Sequence, residues 1–187
     1  AIDRQDAAAL MRLARTYHQL YLRMGDKLDS LLLAISKLDE PTKGQVFRLA
    51  QYKNLISALE TELTKFGTFT ELEIRSNSQA AIELAVKQTE AFLSAAGYTM
   101  TRSLPTDAIY NMLGFLQEGS PLWKRIGELA PYHTQRVADA LLEGIAFGYN
   151  PAKTARMFES VMGGGLTDAM RMTRTTQLYA SREASRA

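Results

Sequence analysis

AAALMRLARTYHQLYLRMGDKLDSLLLAISKL, residues 7–38, decides the fold class. Within it Ala7, Leu10, Ala14, Tyr17, Tyr21, Met24, Leu28, Leu31, Ile35 and Leu38 follow one another at steps of three and four. That spacing lines one side of a single long α-helix, interrupted only by Gly25. The polar segment DEPTKG at 39–44 brings a proline and a glycine together and reads as a turn. Helical spacing then resumes with Leu49, Tyr52, Ile56, Leu59, Leu63 and Phe66. Two apolar stripes joined by a short turn predict an antiparallel helical hairpin. Leu32, Leu33 and Leu55 sit beside the stripes, so the buried face is wider than a two-stranded seam and is expected to meet more than one neighbour.

Working outward, GTFTELEIR at 67–75 alternates in a way that permits a short extended piece. A helix is then expected from Ser76 or Ser78 to Gly97, where glycine favours a helix stop. Beyond Leu104-Pro105 the punctuation suggests shorter helices. One runs from Thr106 or Asp107 to Leu116, one is SPLWKRIGELA behind Pro121, and one is HTQRVADALLEGIAFG ending at Gly148. Asn150-Pro151 matches a cap followed by proline at the first helical position and opens AKTARMFESVM. The triple glycine 163–165 reads as a hinge or tight turn, with a last helix from Leu166 or Thr167. The expected fold is all-α, a long N-terminal antiparallel helical hairpin (1–66) followed by a compact array of short helices (67–187), roughly eight helices in all.

The 187 residues, 46% hydrophobic and 22% charged, are globular in composition and long enough for one sizeable core. The longest apolar runs, such as LLLAI at 31–35, fall far short of the ~20 residues of a membrane helix. A cytosolic or particle-bound location is expected. The first residue is Ala1 rather than methionine, which suggests a piece of a longer chain. Without cysteine there are no disulfides, no thiol catalysis and no sulfur-ligated zinc, and the two histidines, His18 and His133, make a histidine-rich metal site improbable. No cofactor is expected.

The net charge of +2 is unevenly spread: residues 150–187 hold six Lys/Arg against three acids. In the last helix, at about 100° per residue, Arg171, Arg174, Arg182 and Arg186 share an arc of about 120°. Ala169, Ala180, Ala184 and Ala187, with Thr173 and Thr176, take the opposite side. Small residues admit a neighbouring helix, while arginine forks suit phosphate or carboxylate. An ordinary solvated face accounts for the same arc. The triple glycine lacks the lysine-serine or lysine-threonine pair and the preceding strand of a phosphate-binding loop. His133, after Pro131-Tyr132, reads as a partly exposed structural histidine near a helix start, since no serine, cysteine or second histidine is placed to complete a triad. Glu60 with Glu62, and Glu71 with Glu73, read as solvent-facing acids without basic companions, and Trp123 reads as a core or interface anchor.

The stretch from about residue 103 to 187 resembles the phage head morphogenesis family, the minor head (minor capsid) proteins of the Mu F type. The order of elements carries the likeness. A Leu104-Pro105 entry precedes a Gly-Ser-Pro-Leu turn, and the next helix closes on Leu141, Leu142, Gly144, Ile145 and Gly148. Asn150, Pro151, Ala155 and Arg156 then match the family's N-P-x-x-x-A-R, and Arg174-Thr175, with Ala180 and Ala184 behind it, matches R-T-E. Thr176 stands where the family usually has the acid. The resemblance implies a non-enzymatic virion component at the portal vertex of a phage head, acting in head assembly and at DNA ejection. Its implied partners are the portal protein, capsid protein and packaged double-stranded DNA, with no membrane in the assembled head. It also implies a packing role for Gly144, Gly148, Asn150, Pro151, Arg156 and Thr175, and contact with DNA or an acidic partner for Arg171, Arg174, Arg182 and Arg186. Three other readings stand beside it: a DNA-binding helical module, the non-catalytic N-terminal part of a longer phage-derived enzyme or toxin, and a helical adaptor unrelated to phage.

Overall fold

The computed structural model describes residues 2–38, 41–97 and 120–186. Among these the chain forms five helices: α1 (Ile2–Ile35), α2 (Lys43–Arg48), α3 (Ala50–Ala95), α4 (Pro121–Ala146) and α5 (Pro151–Arg186). The fold is all-α, and α1 and α3 are the two arms of the antiparallel hairpin. Their direction is set by the pairs that join them: Arg12 Nε donates to Glu73 and Arg23 Nε to Glu62, both at 2.9 Å, so numbers fall on one arm as they rise on the other. Between the arms sits the single-turn α2, started by a capping box in which Thr42 and Gln45 each accept from the other's backbone N–H.

The α3 helix and α5 pack along each other at the centre, with α1 and α4 flanking them. Tyr17 donates its hydroxyl to the Met162 carbonyl and Tyr21 to Glu159 at 2.7 Å, which runs α5 antiparallel to α1. His133 against Asp168 and Gly144 against Thr154 run α4 antiparallel to α5. The result is an up-down-up-down bundle of four long helices. One core threads all four, with Leu13, Leu20 and Leu31 from α1, Leu59, Leu63 and Phe66 from α3, Val137 and Leu141 from α4, and Phe158 and Met162 from α5. Tyr17 meets Phe66 edge-on, ring centroids 4.8 Å apart.

Several local expectations are corrected. Residues 67–75 are helical, and neither Ser76 nor Ser78 starts a helix: all lie inside α3. Thr70 turns its hydroxyl back to the Phe66 carbonyl at 2.8 Å, so a residue that favours strands is satisfied within the helix. Position 66/67, the expected division of the chain, falls in the middle of α3. The segments expected as four short helices after Pro121 form two long ones: α4 continues through Pro131, and α5 continues through all three glycines. Along α1 the buried stripe is Ala9, Leu13, Tyr17, Leu20, Met24, Leu28 and Leu31, while Leu10 and Tyr21 are only half-buried and Leu33 is exposed. The expected helix from 106 to 116 lies outside the described residues.

Candidate functional site

The α4–α5 face is built on the glycines at 163–165. A methyl group on Gly165 would meet the Tyr17 hydroxyl at 2.8 Å and the His133 ring at 3.5 Å. On Gly164 it would stand 3.6 Å from His133 Cε1, whereas Gly163 has open space. The glycines therefore cut a notch in a continuous helix, into which Tyr17 from α1 and His133 from α4 are pressed. The hinge reading of this motif is replaced by a packing one.

His133 is 1% exposed and sits mid-helix rather than near a helix start. Its Nε2 lies 3.2 Å from Asp168 Oδ2, and its Nδ1 is buried without a partner. A carboxylate only accepts, so Nε2 carries the ring proton and Nδ1 keeps its lone pair. Burial is the largest influence and holds the imidazole below its ordinary value of 6.5; Asp168 opposes this, and the nearby Arg136 adds to it. Burial thus favours the neutral ring. With one nitrogen bound to Asp168 and the other sealed from solvent, His133 cannot take a proton from a substrate in this geometry. It is a structural residue that fixes Asp168 and the neighbouring Tyr132, whose ring stands edge-on 5.0 Å away.

Above this pair lies a groove of about 610 Å³ bordered by α4 and α5, with Leu129, Pro131 and Met172 among its lining. Arg125 and Glu128 line it from α4, Asp168 and Arg171 from α5. Tyr132 is 54% exposed, and the Arg136 guanidinium lies 5.6 Å from its ring centroid. Arg171 is 74% exposed, its Nη1 3.9 Å from Asp168 Oδ1.

Of the arginines singled out from the sequence, Arg171, Arg174 and Arg182 are exposed on α5. Arg186 belongs to the same helix, but its side chain, like those of Ala184 and Trp123, lies outside the described residues. The opposite face is turned inward: Ala169 and Ala180 are fully buried and Thr173 and Thr176 nearly so. Gln177 beside them is buried with both amide atoms unpartnered. At Gly144 an added methyl would come within 2.9 Å of Thr154 Oγ1, so this glycine marks a close approach of α4 to α5. Gly148 has φ +61° and closes α4 in the left-handed conformation glycine favours. Asn150 caps α5, its Oδ1 accepting from Lys153 N at 2.9 Å, and Pro151 is the first helical residue. Arg156 and Thr175 are exposed.

Three of the four acids expected to lack basic companions have them: Glu62 pairs with Arg23 and Lys65, Glu71 with Arg75, and Glu73 with Arg12, while Glu60 is exposed as expected. Because 67–75 is helical, Glu73 comes to face Arg12 across the two arms. Among the described residues no group of three or more His, Asp or Glu is placed to hold a metal, and no helix is long and apolar enough to cross a membrane. Comparison of the chain with protein-family models, curated proteins and solved structures finds no match.

Proposed function

We propose that this chain is the helical core of a phage minor head protein of the head morphogenesis family, a virion component at the portal vertex that acts in head assembly by gripping another protein. The observation that carries this reading is the division of α5. Ala169, Thr173, Thr176 and Ala180 pack inward, while Arg171, Arg174 and Arg182 are presented outward. A helix locked into a bundle on one side offers its other side as a rigid surface, which lowers the ordering cost of binding a partner. The order of the Gly144–Gly148, Asn150-Pro151 and Arg174-Thr175 elements supports the family assignment.

Co-expression of the chain with the portal protein of the same genome, followed by affinity capture at physiological salt, tests the proposal. Stoichiometric co-purification is the expected result; no capture by the full chain would sink it. A second reading, direct contact with packaged DNA, draws support from the same exposed arginines. It predicts duplex affinity that falls steeply with salt, and a flat salt response removes it.

A further inference from the structure

We propose that His133 is an acid-sensitive latch on the α4–α5 face: when its ring takes up a second proton it leaves the Gly164–Gly165 notch for the adjoining groove, and α5 opens locally at its three glycines. The inference stands on the notch itself and is independent of the family reading above.

Three features make the latch. First, the notch suits only the neutral ring. His133 is 1% exposed, and the Nδ1 that a second proton would occupy is buried without a partner. Protonation in place would create a buried charge and a buried donor with nothing to accept it. A methyl on Gly164 would stand 4.0 Å from Nδ1, and one on Gly165 would stand 3.5 Å from Cγ and Cδ2, so the ring lies flush against the α5 backbone.

Second, the groups around the ring compensate a charge poorly. Burial is the strongest influence and holds the imidazole below 6.5. Asp168 on α5 favours the imidazolium, but its side chain is 42% exposed and lies 3.9 Å from Arg171. Arg136 on α4 opposes the charged ring. Tyr132 stands edge-on to it, and Arg125 and Glu128 line the groove from α4 with opposite signs. From α1, Tyr17 enters the same notch with its hydroxyl donated to the Met162 carbonyl. From α3, Glu71 lines a cleft with Pro131 but is paired with Arg75.

Third, the way out is open. His133, Asp168 and Arg171 border the groove of about 610 Å³, so the ring can turn outward while Nε2 stays with Asp168. The stretch it leaves behind is a poor helix by composition: only proline disfavours a helix more than glycine. Gly164 and Gly165 stay helical with Tyr17 and His133 packed into the space they leave. With His133 gone, one of those two supports is lost and the backbone hydrogen bonds around the glycines open more often. The released ring protonates at a higher pH than the latched one, so the open fraction grows by up to about tenfold per pH unit between the two values.

The test follows the full chain by NMR from pH 8 to pH 5. The His133 ring resonances report protonation, and amide exchange, corrected for its intrinsic pH dependence, reports opening at residues 163–167 and, for comparison, at 59–66 in α3. Protection at 163–167 is expected to fall as His133 protonates, by up to about tenfold per pH unit, while 59–66 keeps its protection. His133→Gln, which cannot charge, should abolish the pH dependence. Arg136→Ala, an exposed change that removes the charge opposing the imidazolium, should reduce it. Three results would each overturn the proposal: protonation of His133 with protection unchanged, no loss of protection down to pH 5, or equal loss in α3, which means global unfolding. The same fall in protection in His133→Gln would also overturn it, by assigning the effect to another group.

Discussion

At the residue scale, glycine in a helix has two opposite meanings, and α5 contains both within three positions. A glycine in a helix interior costs about 1 kcal/mol relative to alanine. Gly163 faces open space, so Gly163→Ala should stabilise the protein by about 0.5–1 kcal/mol and raise the melting temperature. Gly165→Ala gains the same propensity but drives a methyl to 2.8 Å from the Tyr17 hydroxyl, which is held by the Met162 carbonyl. It should destabilise by about 1–3 kcal/mol, the range for overpacking, so the two alanine variants should melt on opposite sides of wild type. His133 supplies a pH prediction. Its folded value lies below 6.5, so as pH falls through that value the unfolded chain takes up the proton first. This contribution to stability is full above pH 6.5, declines below it, and levels off once the folded ring also protonates. Asp168 from α5, and Arg136 and Tyr132 from α4, are the charged and titratable groups beside the ring. Denaturant midpoints between pH 5 and 8 check it: His133→Gln should flatten the dependence in that window, and an unchanged slope would refute the assignment. None of this was visible as sequence, because three glycines in a row signal a break wherever nothing nearby needs the space they leave.

At the element scale, the helices are longer than their local signals because tertiary packing outweighs propensity. In α3 the inward positions continue past Phe66 as Thr70, Ile74, Asn77 with Ser78, Ala81 with Ile82, and Ala85. The spacing is helical throughout, but polar residues occupy several core positions and hide the apolar stripe. Asn77 and Thr70 are satisfied by carbonyls one turn back, Glu73 and Phe66 respectively, so they are tolerated where leucine would be expected. Pro131 in α4 is the complementary case. It has no N–H to give to the Gly127 carbonyl, yet the helix continues because Leu129, Ala130, His133, Val137 and Leu141 on either side are buried. Pro131 itself is exposed, so Pro131→Ala loses no core contact and restores one helical hydrogen bond. The variant should be more stable by about 1 kcal/mol or more, measured by thermal unfolding; a drop in stability would show that the helix has adapted to the proline.

At the scale of the whole molecule, the single core shared by all four long helices predicts one cooperative unfolding transition rather than separate melting of the hairpin and the remainder. Leu63, fully buried at the centre of that core, should cost roughly 2–5 kcal/mol when changed to alanine. Arg12, half-exposed in its pair with Glu73, should cost under about 1 kcal/mol as Arg12→Ala. Chemical denaturation of the two variants measures the contrast, and comparable losses would mean that the ion pairs, not the core, hold the hairpin together.

The all-α class and the hairpin were legible from residues 7–66 because apolar residues at steps of three and four can be buried in only one way. The Asn150-Pro151 start of α5 was legible for a similar reason: the cap is made by residues adjacent in the chain. The groove was not legible. Its floor and border come from α4 and α5 residues about 40 positions apart, and its geometry depends on a notch whose purpose exists only once Tyr17 and His133 arrive to fill it. Local spacing determines which face of a helix is buried, but which helices meet across that face, and at what register, is settled by the fit of side chains from distant parts of the chain.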